Sequence, residues 1–137
     1  MTALTLAIGI TAVGSLVGCD NKIGQCNALI EVINKEQGPL KSASGSDPAA
    51  LKKLADTLDN VASKVEGVEL KDEKLVGFRD DYAKMAQELA KASRDTAGAL
   101  ENNDPQKAAE AAKAMKGFGP RESTLVDNIN NYCRGTS

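Results

Sequence analysis

The chain has 137 residues, a length that suits one domain, with 3% aromatic residues, no Trp and no His. Its formal net charge is −2, and acidic and basic residues interleave, as in Lys52, Lys53, Asp56 and Asp59. This argues against a nucleic-acid partner, which needs clustered Lys and Arg to displace counterions from phosphates, and the lack of His removes the commonest metal ligand and general base.

The first predicted element is residues 1–18, MTALTLAIGITAVGSLVG, an apolar run diluted by Thr, Gly and Ser. A transmembrane helix takes about 20 predominantly apolar residues, so this run is both short and weak for a span. A secretory signal, with a shorter apolar core ending in small residues, fits better. The run closes on Leu16-Val17-Gly18-Cys19, directly before Asp20, the first charged residue.

Those four residues resemble the lipobox of bacterial lipoproteins: Leu, a small or β-branched residue, Gly or Ala, then Cys. The resemblance covers residues 1–19 alone. It implies a diacylglyceryl group on the Cys19 thiol, cleavage before Cys19, and acylation of the new amino terminus, with palmitate a typical chain. Each buried CH₂ contributes about 0.8 kcal/mol, and stable anchoring takes more than one chain. Lipoprotein signals carry a Lys or Arg near their start, whereas the first basic residue here is Lys22. The implied location is the bacterial cell envelope, lipid-anchored to a membrane with the domain on the exported side. The implied organisation is a signal peptide at 1–18, a short lipidated tether at 19–25 and a helical domain at 26–137.

Four helices are predicted from apolar seams spaced by three and four. The first seam is Ile23, Cys26, Ile30, Ile33 and Leu40. Leu51, Leu54, Leu58, Val61, Val65 and Val68 make the second without interruption. The third runs Leu75, Phe78, Tyr82, Met85, Leu89, Ala92, Thr96 and Leu100, and the fourth Ala108, Ala111, Met115, Phe118, Leu125, Ile129 and Tyr132. Asp47-Pro48 and Asp104-Pro105 read as helix starts, an N-cap followed by Pro at the first helical position. Lys41 to Ser46 and Gly67 to Lys71 read as connections, and short connections favour antiparallel neighbours. The expected fold is an all-α, up-down-up-down four-helix bundle.

This topology brings Cys26 and Cys133 to one end. In an exported chain such a pair is expected to form a disulfide, the alternative being two buried thiols. Gly117, Gly119 and Pro120 interrupt the fourth helix, because Pro120 cannot donate to the carbonyl of Lys116, so a kink or break is expected there. One reading makes Gly117, Phe118, Gly119, Pro120 and Glu122 the lining of a small pocket with an inward carboxylate. The favoured one shifts register at the break and turns Glu122 to solvent. The alanines of helices three and four suit a closely packed hairpin.

No phosphate loop, Cys-x-x-Cys, His-Glu-x-x-His or Cys/His pair is present in the sequence, and the serines lack an imidazole. Met85 and Met115 read as core fillers, since no His could complete a haem site. No catalytic residue, metal or cofactor is therefore expected. The expectation is a lipid-anchored, non-catalytic interaction or structural module with a protein partner in the envelope. The alternative is a binder of a small apolar or amphipathic ligand in a cavity beside the helix-four break.

Overall fold

A computed structural model describes residues 21–42 and 45–135; Cys19 and the signal segment lie outside the described residues. Five helices follow in order: α1 Lys22–Ser42, α2 Pro48–Glu66, α3 Glu73–Glu101, α4 Pro105–Lys116 and α5 Phe118–Arg134. No strand occurs among the described residues. α4 and α5 together form the fourth arm of a four-helix bundle, as the spacing of the seams predicts. α1 starts at Lys22, so the helix takes up part of the segment expected to be tether.

The helix starts follow from their caps. The Asp47 carboxylate accepts from the backbone N–H groups of Ala49 and Ala50 at 3.1 and 3.0 Å, with Pro48 at the first helical position. Asp104 accepts from Lys107 N–H at 3.0 Å ahead of Pro105. The turn between α3 and α4 places Asn103 at φ 53, a left-handed conformation that Asn tolerates better than most residues. Asp47→Ala and Asp104→Ala are each expected to lower stability by about 1 kcal/mol, read as a shifted urea midpoint.

α3 is the central helix, packing most extensively against α2 and α4. Its predicted seam residues Leu75, Phe78, Tyr82 and Met85 are buried, but so are Ala83, Ala86, Ala90, Ser93 and Ala97. A helix with neighbours on two sides buries more than one stripe. The Ser93 hydroxyl, fully buried, donates to the Leu89 carbonyl at 2.8 Å and so meets the requirement that a buried polar group be paired. Thr96 donates to the Ala92 carbonyl at 2.8 Å and lies 3.7 Å from the Met115 sulfur, across the α3–α4 hairpin.

In α1 the buried stripe differs from the expected seam. Cys26, Leu29, Ile33 and Glu36 are buried, Ile30 and Leu40 are half-buried, and Ile23 is 66% exposed. Leu29 and Ile30 are adjacent, and each continues a three-or-four spacing from Cys26. With Cys26 turned inward by its disulfide, the i+3 choice at Leu29 wins. The buried Glu36 carboxylate is paired with Lys64 of α2 at 2.9 and 3.0 Å, Lys64 keeping its own side chain half exposed. α1 also runs through Gly38 and Pro39 to end at Ser42.

Side-chain bridges fix which connections share an end. Lys52 at the start of α2 meets Glu101 at the end of α3 at 2.7 Å, so the α1–α2 and α3–α4 connections lie together. At the opposite end the Gln25 side-chain oxygen accepts from the backbone N–H groups of Lys71 and Asp72, at 2.6 and 2.9 Å. The α2–α3 connection therefore sits beside the start of α1. The Cys26–Cys133 disulfide is at this same end, with its Cα atoms 5.8 Å apart.

Candidate functional site

The break in the fourth arm falls at Gly117. Pro120 is consequently the third residue of α5, inside the first turn, where backbone N–H groups have no intrahelical acceptor to lose. Splitting the helix removes the penalty of about 3 kcal/mol that Pro120 carries in a helix interior. Gly117 itself keeps right-handed helical angles, φ −76 and ψ −11, so the seam carries across it through Phe118, Glu122, Leu125, Ile129 and Tyr132, each buried or half-buried.

The held register leaves Glu122 on the seam and facing inward, which corrects the favoured expectation of a register shift that would turn it to solvent. Glu122 is half-buried, and its Oε1 accepts from the Tyr82 hydroxyl of α3 at 2.8 Å. Burial, and next the hydrogen bond to Glu122, push the Tyr82 phenol above its ordinary value of 10.0, so it remains a donor. Glu122 and Phe118 line an open cleft of about 360 Å³ with Gln37 and Leu40 of α1, Leu54 of α2 and Leu89 of α3. Four elements of the bundle therefore contribute to it. Pro120 faces a different groove, of about 470 Å³, with Met85, Glu88, Arg121 and Leu125. Gly117 and Gly119 line neither of these two and are exposed.

The disulfide end carries a second polar cluster, which the helix spacing does not reveal. Asp72 caps α3 by accepting from Leu75 N–H at 3.0 Å, and it also accepts from the Tyr132 hydroxyl of α5 at 2.9 and 3.0 Å. The Lys22 ammonium lies 3.7 Å from the Tyr132 ring centroid, and Phe78 meets the same ring edge-on at 5.9 Å. The clasp thus ties the start of α1, the start of α3 and the end of α5 around Cys26–Cys133.

Its pH dependence has two limbs of opposite sign. The Leu75 N–H first, with help from the Tyr132 hydroxyl, lowers the Asp72 carboxyl below its ordinary value of 3.8. Stability from a lowered carboxyl is complete above that value and lost as the pH falls below it. The hydrogen bond to Asp72 raises Tyr132 above 10.0, so its contribution is complete below that pH and lost as the pH rises past it. Asp72→Asn is therefore expected to flatten the acid limb of stability, followed as the urea midpoint across the acid range.

Elsewhere the charged groups bridge helices. Arg94 of α3 meets Asp56 and Asp59 of α2 at 2.8 and 2.6 Å, and Arg121 of α5 meets Glu88 of α3 at 2.9 Å. Among the described residues no group of three or more His, Cys, Asp or Glu could hold a metal ion. No described helix is long and apolar enough to cross a membrane.

Comparison with protein-family models, with curated proteins and with solved structures finds no match to this chain, so the site stands on its own geometry.

Proposed function

We propose that the chain is a lipid-anchored lipoprotein of the bacterial cell envelope, held through Cys19, whose bundle is a non-catalytic protein-interaction or structural module. The observation that carries this reading is the Cys26–Cys133 disulfide, seven residues beyond the lipobox-like cysteine. Disulfides persist in oxidising compartments such as the periplasm and the cell surface, where an export signal at residues 1–18 delivers a chain. The cross-helix bridges Lys52–Glu101, Arg94–Asp56 and Arg94–Asp59 commit charged groups to holding the shape. α4 buries only Ala108 among its twelve residues, leaving Gln106, Lys107 and Glu110 open to a partner at the end away from the disulfide.

A photo-crosslinking residue placed at Gln106 in the full chain, expressed with its signal in a bacterium, tests the reading. A discrete protein adduct is expected from Gln106, and lipid adducts without it from Glu69 at the disulfide end. Protein adducts of the same size from both positions, or none from Gln106, would reject an interaction surface at the distal end.

A further inference from the structure

The cleft at the helix break is walled by Leu40, Leu54, Leu89 and Phe118, and its volume of about 360 Å³ lies within the usual span of small-molecule sites. An apolar cleft alone does not name a ligand. The carboxylate within it does. Glu122 gives Oε1 to the Tyr82 hydroxyl, and no hydrogen bond or ion pair from the described residues reaches its Oε2. The neighbouring cation Arg121 is committed to Glu88 at 2.9 Å, and Lys64 to Glu36 at 2.9 Å. Among the described residues that line the cleft there is no Lys or Arg.

From this charge arrangement we infer that the cleft binds a small organic cation with an apolar body, such as a protonated alkyl or aryl amine, its ammonium on Glu122 and its carbon skeleton among Leu40, Leu54, Leu89 and Phe118. An ammonium donates to the open oxygen of Glu122, while the Gln37 side chain offers a further acceptor and the Phe118 ring a π face within the same cleft. An anion would meet Glu122 with no cation among the described lining residues to offset it. An uncharged ligand would cover the carboxylate and offer Oε2 either no donor or a neutral one, a weaker partner than an ammonium. Tyr82 is a positioning residue, holding the Glu122 side chain toward the cleft from α3. The inference is independent of the lipid anchor.

The test uses the full-length protein in lipid nanodiscs with methyl-labelled leucines, titrated separately with hexylammonium, hexanol and hexanoate. Saturating shifts at Leu40, Leu54 and Leu89 are expected for hexylammonium, at a concentration about tenfold below hexanol, the preference a charge-assisted hydrogen bond gives. Hexanoate should be weakest. Glu122→Gln should bring amine and alcohol level, and Tyr82→Phe, which removes the bond that holds Glu122 toward the cleft, should reduce the preference for the amine without abolishing it. Hexanol binding as well as hexylammonium, an amine preference surviving Glu122→Gln, or no saturable shift would each overturn the inference. The amine-to-alcohol comparison in the unmodified protein decides on its own, whatever the variants do to folding.

Discussion

Replacing Cys26 and Cys133 together by Ser is expected to lower the free energy of unfolding by about 4–5 kcal/mol. The disulfide spans 107 residues of sequence, and in the chain-entropy picture a loop of that size restricts the unfolded chain strongly. A native domain is stable by only about 5–15 kcal/mol, so the loss removes about a quarter or more of it. The effect is expected to be local as well as global. α1 packs less extensively on its neighbours than α2 and α3 do on each other, and its first turns are held by the disulfide, Gln25 and Lys22. Reduced protein should therefore lose protection of α1 amides ahead of those in α2 and α3. Urea unfolding with and without reductant measures the first effect, and hydrogen exchange at Leu29 and Ile33 the second. Equal midpoints in the two conditions would mean that the bond contributes nothing to the fold.

The elements most legible in the sequence are those whose signals are local and repeated. α2 shows an unbroken seam, an Asp-Pro start and a following Gly; the predicted Leu51, Leu58, Val61 and Val65 are buried and Leu54 half-buried, while the buried Ala55 and Ala62 lie beside that seam. The pairing of Cys26 with Cys133 was legible because the topology alone brings the two ends together. Leu29 was obscured by its neighbour Ile30, since both satisfy the helical period and only a tertiary contact chooses between them. Glu122 was misplaced for a related reason. Two glycines and Pro120 signal a break, but whether the register survives it depends on the angles Gly117 adopts and on packing against Tyr82, forty residues away in sequence. One signal was available in advance: a Tyr on a core seam needs a partner for its hydroxyl, and Glu122 is a carboxylate on a facing arm. Asp72 and Gln25 belong to the least readable class. Their roles arise from backbone N–H groups in a connection and from Tyr132, and no periodicity encodes such meetings.

The largest effect expected of any single substitution is that of Cys19→Ser, which should release the protein from the membrane fraction and remove a lipid mass from its amino terminus. A lone acyl chain binds a bilayer only marginally, with an association constant of about 10⁴ M⁻¹, whereas further chains add about 0.8 kcal/mol for each buried CH₂. No described helix can supply a span in compensation, and the largest exposed apolar side chain near the anchor is Ile23. A variant that still fractionates as an integral protein would identify residues 1–18 as a span. In the anchored protein the geometry then sets orientation. α1 begins at Lys22, so the chain from Cys19 to the helix reaches at most about 10 Å even when extended. With that anchor the disulfide end is expected to lie against the headgroups, while α3, with 29 residues, carries the chain roughly 43 Å along the bundle. Spin labels at Glu69 and Gln106 read the difference. A lipid-borne relaxation agent should broaden the Glu69 label strongly and leave the Gln106 label unaffected. Equal broadening of the two would place the bundle flat on the membrane, and broadening of Gln106 alone would invert it.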